Sequence, residues 1–237
     1  MQRFYFPDLE KETDSVTIKN KDFINQLTKV LRVSEGFEII FFNGEDPVDN
    51  IFEVASIDKR EIYLEKKSEI ENDSEIEFDL NIFGALPNKI EKIEQIVAKG
   101  TEVGITGFYF FRSERSQKLN LSENKIARIQ KIITEAAEQS GRSRIPELII
   151  EDNISLSDFA ENENIFFHTE ANDSQSLKEI KLDYTKGLNL FVGPEGGWSD
   201  DEISHFKNIG FKKVHLGNRI LRTETTGVVA GFYFIQK

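Results

Sequence analysis

The stretch FVGPEGGWSDDE, Phe191 to Glu202, decides how this chain is read. An apolar, strand-like run from Leu188 to Val192 stops at Gly193-Pro194-Glu195-Gly196-Gly197, and an acidic, helix-starting stretch follows. A strand, a glycine-rich turn and a helix start form the layout of a phosphate-binding loop. Such a loop needs the pattern G-x-x-x-x-G-K-[ST], and here no lysine follows the glycines, while a carboxylate, Glu195, stands in the turn. The dinucleotide pattern G-x-G-x-x-G is also absent. Taken alone, the loop has two readings. It is an ordinary tight turn, or a bare stretch of backbone whose N–H and C=O groups read the edge of a flat heterocycle.

Outward from this loop, strand and helix alternate. Phe78 to Leu86 reads as a buried strand, and Pro87 opens a helical pattern over Asn88 to Val103. Phe108 to Phe111, Leu148 to Ile150, Ile165 to Phe167 and Val214 to Leu216 read as strands, Lys125 to Ser140 and Asp200 to Asn208 as helices, and Gly141 as a helix terminator. This order predicts an α/β domain with a mostly parallel sheet. In open α/β sheets ligands sit at the carboxyl ends of strands. Three strand ends carry unusual residues: His168-Thr169-Glu170, the GPEGG loop, and the run from Gly217 to Gly227 that holds Arg219, Arg222, Thr223 and Glu224. Thr223 is expected to cap a last helix, with Gly227, Ala230 and Gly231 as its smooth packing face.

The first seventy or so residues differ in kind. FEIIFFNGE, NIFEVASI and EIYLEKK are short strand-like runs separated by the turn signals Asn43-Gly44 and Asp58-Lys59-Arg60. One helical segment, Asp22 to Leu31, interrupts them. The pattern suggests a small β-barrel. The acidic stretch Ser68 to Glu75 marks the boundary, giving domains 1–72 and 73–237.

Composition narrows the classes. The 237 residues suffice for one large domain or two small ones, and 20 phenylalanines supply a core. No stretch is long enough for a membrane span, and the N-terminus lacks the form of a signal peptide, so a soluble cytoplasmic protein without a membrane partner is expected. With no cysteine and three scattered histidines, neither a disulfide nor a metal site is expected. The net charge of −12 on its face argues against a nucleic-acid partner. The window Arg112 to Arg144, however, holds eight basic and four acidic residues, so +4 there leaves −16 elsewhere. That window is a solvated helix face or a nucleic-acid patch.

Six stretches in order then carry a resemblance: LPNKIEKIEQIVAKGTEVGI (Leu86 to Ile105), RSERS (Arg112 to Ser116), EAAEQSGR (Glu135 to Arg142), Ile145-Pro146, VGPEGGWSDDE (Val192 to Glu202) and LGNRILRTETTG (Leu216 to Gly227). Together they resemble the RsmE family of 16S ribosomal RNA uridine-N3 methyltransferases, within the SPOUT class of S-adenosylmethionine enzymes. MQRFYF and the VLR at Val30 to Arg32 fit the family's N-terminal domain, so the resemblance runs the length of the chain.

The resemblance implies a PUA-like, RNA-binding β-barrel followed by an α/β SPOUT methyltransferase domain with a C-terminal trefoil knot. It implies S-adenosylmethionine as cofactor, held by Thr169, Glu170, Gly193, Pro194, Glu195, Gly196, Gly197, Leu216, Gly217, Ile220, Leu221 and Thr223. Arg222 and Glu224 are the catalytic candidates: Arg222 to stabilise charge developing on the pyrimidine, Glu224 as a base or as the partner of Arg222. Arg3, Arg32, Arg112, Arg115, Arg142 and Arg144 are the RNA-binding candidates. Ribosomal RNA in the small subunit is the implied substrate, and a homodimer the implied assembly. Alternatives are a non-catalytic RNA-binding or assembly factor of the same fold, or a SPOUT methyltransferase for another RNA position. The chain departs from the family pattern at Asn25 and Gln26, where histidines are usual, and at Asn218, where proline is usual.

Overall fold

Branched and aromatic side chains suit a pleated, half-buried surface, and the early Ile-, Phe- and Val-rich runs form strands accordingly. In the computed structural model, which describes residues 1–154, 161–170 and 173–236, the chain divides into two units. One comprises Met1–Glu75 with Ala137–Ile145, the other Ile76–Ala136 with Pro146–Lys237.

The first unit carries β1 (Gln2–Tyr5), β2 (Ser15–Ile18), α1 (Lys21–Asn25), β3 (Glu38–Phe42), β4 (Val48–Ile57) and β5 (Ile62–Glu71). They make one five-stranded sheet in the order β1-β3-β4-β5-β2, with β1 parallel to β3 and the other pairs antiparallel. Two register shifts between β4 and β5 are irregularities of the kind that bend long strands. Leu27, Ile39, Phe41, Phe52, Ile62 and Leu64 are fully buried in its core. The helix expected over Asp22 to Leu31 is a single turn, α1, that runs on as a π-helical turn, Gln26–Val30. It ends at Arg32, which takes the left-handed conformation at φ 54°. The barrel expected here is thus seen as a mixed five-stranded sheet around one core, with β1 and β2 at its opposite ends.

A buried ion pair ties the two segments of this unit together. The Glu75 carboxylate accepts hydrogen bonds from Arg142 Nη2 at 2.7 Å and Nε at 3.2 Å, and from the backbone N–H groups of Ser143 and Arg144. Burial alone would push the Glu75 carboxyl up, but the Arg142 guanidinium and the two N–H groups outweigh it and hold it below the usual carboxylate range. Arg3 pairs with Asp49, donates to the Arg142 carbonyl at 2.9 Å, and lies 5.0 Å from the centroid of the Phe42 ring. Of the arginines expected as RNA contacts, Arg142 is buried and Arg3 half-buried, each with its guanidinium on a carboxylate of the same unit, a correction to the arginine assignment. Arg32 and Arg144 are exposed.

The second unit carries β6 (Leu80–Ala85), α2 (Ile90–Val103), β7 (Gly107–Phe111), most of α3 (Glu123–Ser140), β8 (Glu147–Glu151), β9 (Glu163–Phe167), β10 (Gln175–Ser176), β11 (Leu188–Val192), α4 (Asp200–Asn208), β12 (Lys212–His215) and α5 (Thr223–Ile235). Its seven strands lie in the order β10-β12-β9-β11-β6-β7-β8, every pair parallel. β6 is buried at every residue, as expected for the middle of a sheet covered on both faces.

Buried asparagines pin the register of this sheet. Asn81 donates to Asn189 at 3.0 Å and Asn189 to Asn164 at 2.9 Å, across β6, β11 and β9. Asn164 donates to the Asn162 carbonyl, and Thr106 Oγ1 meets Asn81 Oδ1, so the ladder is closed at both ends. A one-residue slip would leave these amides unpaired in an apolar core, at about 1–3 kcal/mol per group. The smooth face expected on α5 is used: a Cβ at Gly227 would stand 2.9 Å from Ile82 Cδ1, and one at Gly231 2.6 Å from Ile105 Cδ1. From β6 the chain adds β7 and β8 on one side and places β11, β9 and β12 on the other. The sheet therefore has a topological switch point beside β6, where a crevice opens at the carboxyl ends of the strands.

Candidate active site

The three strand ends singled out in the sequence meet in one cleft of about 570 Å³, within the range of small-molecule sites. Every expected cofactor residue except Glu170 lines it, and so do Arg222 and Glu224. Glu170 is exposed, and its backbone N–H donates instead to His168 Nδ1 at 3.1 Å. Lys92, His168, Trp198 and Arg219 also line the cleft. His168 and Arg219 sit at the strand ends singled out in the sequence, and Lys92 lies in the stretch Leu86 to Ile105, where helical spacing alone gives it no site role.

The GPEGG loop is held from several directions. Gly193 lies flat against the buried Trp198 indole, where a Cβ would come within 3.1 Å of the ring. Trp198 Nε1 in turn donates to the Phe167 carbonyl at 3.1 Å, joining the ends of β9 and β11. Thr223 was expected to cap α5. The capping position is Arg222 instead, and the Thr223 hydroxyl donates to the Gly193 carbonyl at 3.1 Å. From the other side, Arg115 Nη1 donates to the Gly196 carbonyl at 3.2 Å. The neighbouring Glu114 N–H donates to Glu202 Oε1 at 3.0 Å, and Glu202 also closes the capping box of α4 with Ser199.

Glu195 points back to α2. Its Oε1 accepts from Lys92 Nζ at 2.5 Å and from the Asn88 N–H at 3.3 Å. Burial would raise the Glu195 carboxyl, but these donors outweigh that and hold it below the usual range. The carboxylate that stands where a phosphate loop has its lysine thus neutralises a lysine from elsewhere. Because both side chains are partly exposed, the pair is worth about 1 kcal/mol. Lys92→Met is therefore expected to weaken cofactor binding about fivefold, read by calorimetry. The double variant Lys92→Met/Glu195→Gln should cost no more than either single change; additive losses would show that the two act separately.

On the opposite wall, Gly217 adopts φ +94°, a conformation that suits glycine, as the chain leaves β12. Ile220 is 78% exposed and the Arg222 side chain 84% exposed. Glu224 contrasts with them. Its side chain is 12% exposed, its Oε1 lies 3.8 Å from Arg222 Nη1, and its buried Oε2 has no hydrogen-bond partner. Burial and the nearby Lys213 charge hold the His168 imidazole below its usual range.

These groups suit a cationic, heterocyclic ligand better than a polyphosphate. The loop offers bare backbone, Lys92 of α2 beside it is already paired with Glu195, and Glu224 lines the cleft with one buried, unpartnered oxygen. A parallel sheet with such a cleft at its switch point defines a cofactor-binding α/β enzyme, and a family model of the RNA methyltransferase domain matches residues 74–234. The chain is 30% identical to ribosomal RNA small subunit methyltransferase E of Bacillus subtilis, over 97% of this chain and 94% of that one. It is 31% identical to the protein of the same description from Synechocystis, over 87% of this chain and 68% of that one. The crystal structure of a ribosomal RNA small subunit methyltransferase E from Neisseria gonorrhoeae bound to S-adenosyl methionine superposes with a TM-score of 0.86 at 26% identity, covering 100% of this chain and 97% of that one. The chain belongs to the RsmE family of RNA methyltransferases.

Proposed function

We propose that the protein transfers a methyl group from S-adenosylmethionine to N3 of a uridine in 16S ribosomal RNA. The observation that carries this reading is the cleft itself, which gathers all but one of the expected cofactor residues beside an unpartnered Glu224 oxygen. When bound, the cofactor supplies an electrophilic methyl group. Gly193 to Gly197, Leu216, Gly217, Ile220, Leu221, Thr223 and Thr169 form its walls. Glu224 would accept the N3 proton, leaving on N3 the electron pair for the new N–C bond, while the pair of the broken C–S bond would stay on the cofactor sulfur as a neutral thioether. Arg222, at the exposed lip, steadies the charge that spreads onto the uracil oxygens. Holding both reactants in one geometry contributes most of the acceleration.

The same reading makes the first unit a PUA-like barrel and gives the second a trefoil knot around the cofactor loops. Arg32, Arg112, Arg115 and Arg144 are the RNA contacts from the original set that remain exposed. Val229 and Phe232, exposed on α5 at 46% and 51%, support a homodimer, which light scattering would report as twice the chain mass. Among the described residues no helix is long and apolar enough to cross a membrane. Calorimetry with S-adenosylmethionine tests the cofactor assignment. A saturable heat at one site per chain is expected, and no heat would leave only the non-catalytic reading.

A further inference from the structure

A second cleft, of about 750 Å³, lies within the first unit. One wall is the segment that includes α1 and the π-helical turn, and the other is the turn from β4 to β5. Lys19, Lys21, Lys29, Lys59 and Arg60 line it, with Asp58 as its one carboxylate. Residues 1–75 contain ten cations and eighteen carboxylates, so this cleft gathers half of the cations with one of the acids. That segregation runs against the composition of the whole segment.

The charge is also left uncompensated. Among the described residues, no carboxylate lies within ion-pair distance of Lys21, Lys29, Lys59 or Arg60. Lys19 stands 3.9 Å from Glu61, with both side chains largely exposed. Asp58 is engaged by the Lys59 N–H. By contrast Arg3, Lys66 and Lys67 in the same unit each have a carboxylate partner. The backbone under the cations is defined: the hairpin turn is closed by the Asp58 N–H on the Glu61 carbonyl at 2.9 Å, and Leu31 donates to Gln26 across the π turn at 3.0 Å. A π turn in a helix is often found at a functional site.

The spread and kind of these groups specify the ligand. Five cations on two walls are too many for a single small anion. Lysine ammoniums act as point charges on phosphates, and no aromatic ring lines the cleft on which a base could stack. We propose that this cleft binds the phosphodiester backbone of the RNA substrate, independently of base identity. The proposal rests on the methyltransferase reading for the identity of the RNA. It adds phosphate contacts in the first unit to those of Arg32 and Arg144, whereas Arg3 and Arg142 are engaged by carboxylates.

The test uses the full chain carrying Lys21→Gln, Lys29→Gln, Lys59→Gln and Arg60→Gln, and a fluorescent small-subunit RNA fragment. Affinity is read by anisotropy between about 50 and 200 mM salt. Removing four phosphate contacts should lower affinity at least tenfold and make the slope of log K against log salt shallower by about 3. Affinity for S-adenosylmethionine should not change. A second variant, Lys59→Glu with Arg60→Glu, confined to the exposed turn, should also weaken RNA binding and melt as the wild type does. Unchanged RNA affinity and slope in both variants would overturn the proposal. So would loss of binding to phosphatidylglycerol vesicles with RNA binding intact. If wild-type protein methylates no RNA, yet RNA binding still depends on these four cations, the proposed function fails and the cleft stands.

Discussion

Glu224→Gln is expected to keep the fold and the cofactor affinity and to lower the rate of methyl transfer by about 10²–10⁴-fold. The carboxylate sits in the first turn of α5, where the helix dipole favours a negative charge. Its guanidinium neighbour, Arg222, is too exposed and too distant, at 3.8 Å, to satisfy it fully. Glu224 Oε2 is buried without a hydrogen-bond partner, a costly arrangement, and the residue lines the cleft beside Arg222. Glutamine keeps the shape and removes the basicity. The loss should therefore fall on the turnover number, with calorimetric affinity for the cofactor unchanged. A variant that turns over at the wild-type rate would return Glu224 to a role in fixing the helix start.

Glu75→Ala is expected to destabilise the first unit by about 3–5 kcal/mol, because it removes the buried carboxylate that accepts from the Arg142 guanidinium and from the Ser143 and Arg144 N–H groups. For a chain of this size that lowers the melting temperature on the order of 10 °C. The pH dependence has a defined sign. Burial raises the Glu75 carboxyl, the Arg142 guanidinium and two backbone N–H groups lower it further, and the folded value ends below the unfolded one. The stabilisation is thus fully present above the unfolded glutamate range and is lost as pH falls through the folded value. Denaturant titrations of wild type and variant should differ most near neutrality and converge in acid. A constant gap at all pH values would show that the pair carries no such linkage.

What was legible in the sequence was local. Leu188 to Val192 is a strand and Asp200 to Asn208 a helix with the bounds expected, because an apolar run and a capped polar helix are written in adjacent residues. Gly141 ends α3 with φ +81°, as a glycine there should. The short strands β1, β2 and β10 are not set apart as strands by the sequence; each is defined by the neighbour it pairs with in its sheet. The cleft was legible as three strand ends because parallel sheets put their ligands there. Its internal ties were not. Lys92 meets Glu195 across 103 positions, and Thr223 reaches Gly193 across 30. Arg142 was misread for a related reason. In a basic window an arginine looks like surface, and only the fold brings Glu75 to it across 67 positions. Charge in a sequence reports what a residue carries, and burial decides whom it serves.

The most direct test of the whole account is chemical. Small ribosomal subunits lacking the modification are incubated with the protein and methyl-labelled S-adenosylmethionine, and the 16S ribosomal RNA is digested to nucleosides and resolved. The label should elute as N3-methyluridine and should appear about 10²–10⁴-fold more slowly with the Glu224→Gln protein. Label in any other nucleoside, or none with wild-type protein that binds the cofactor, would contradict it.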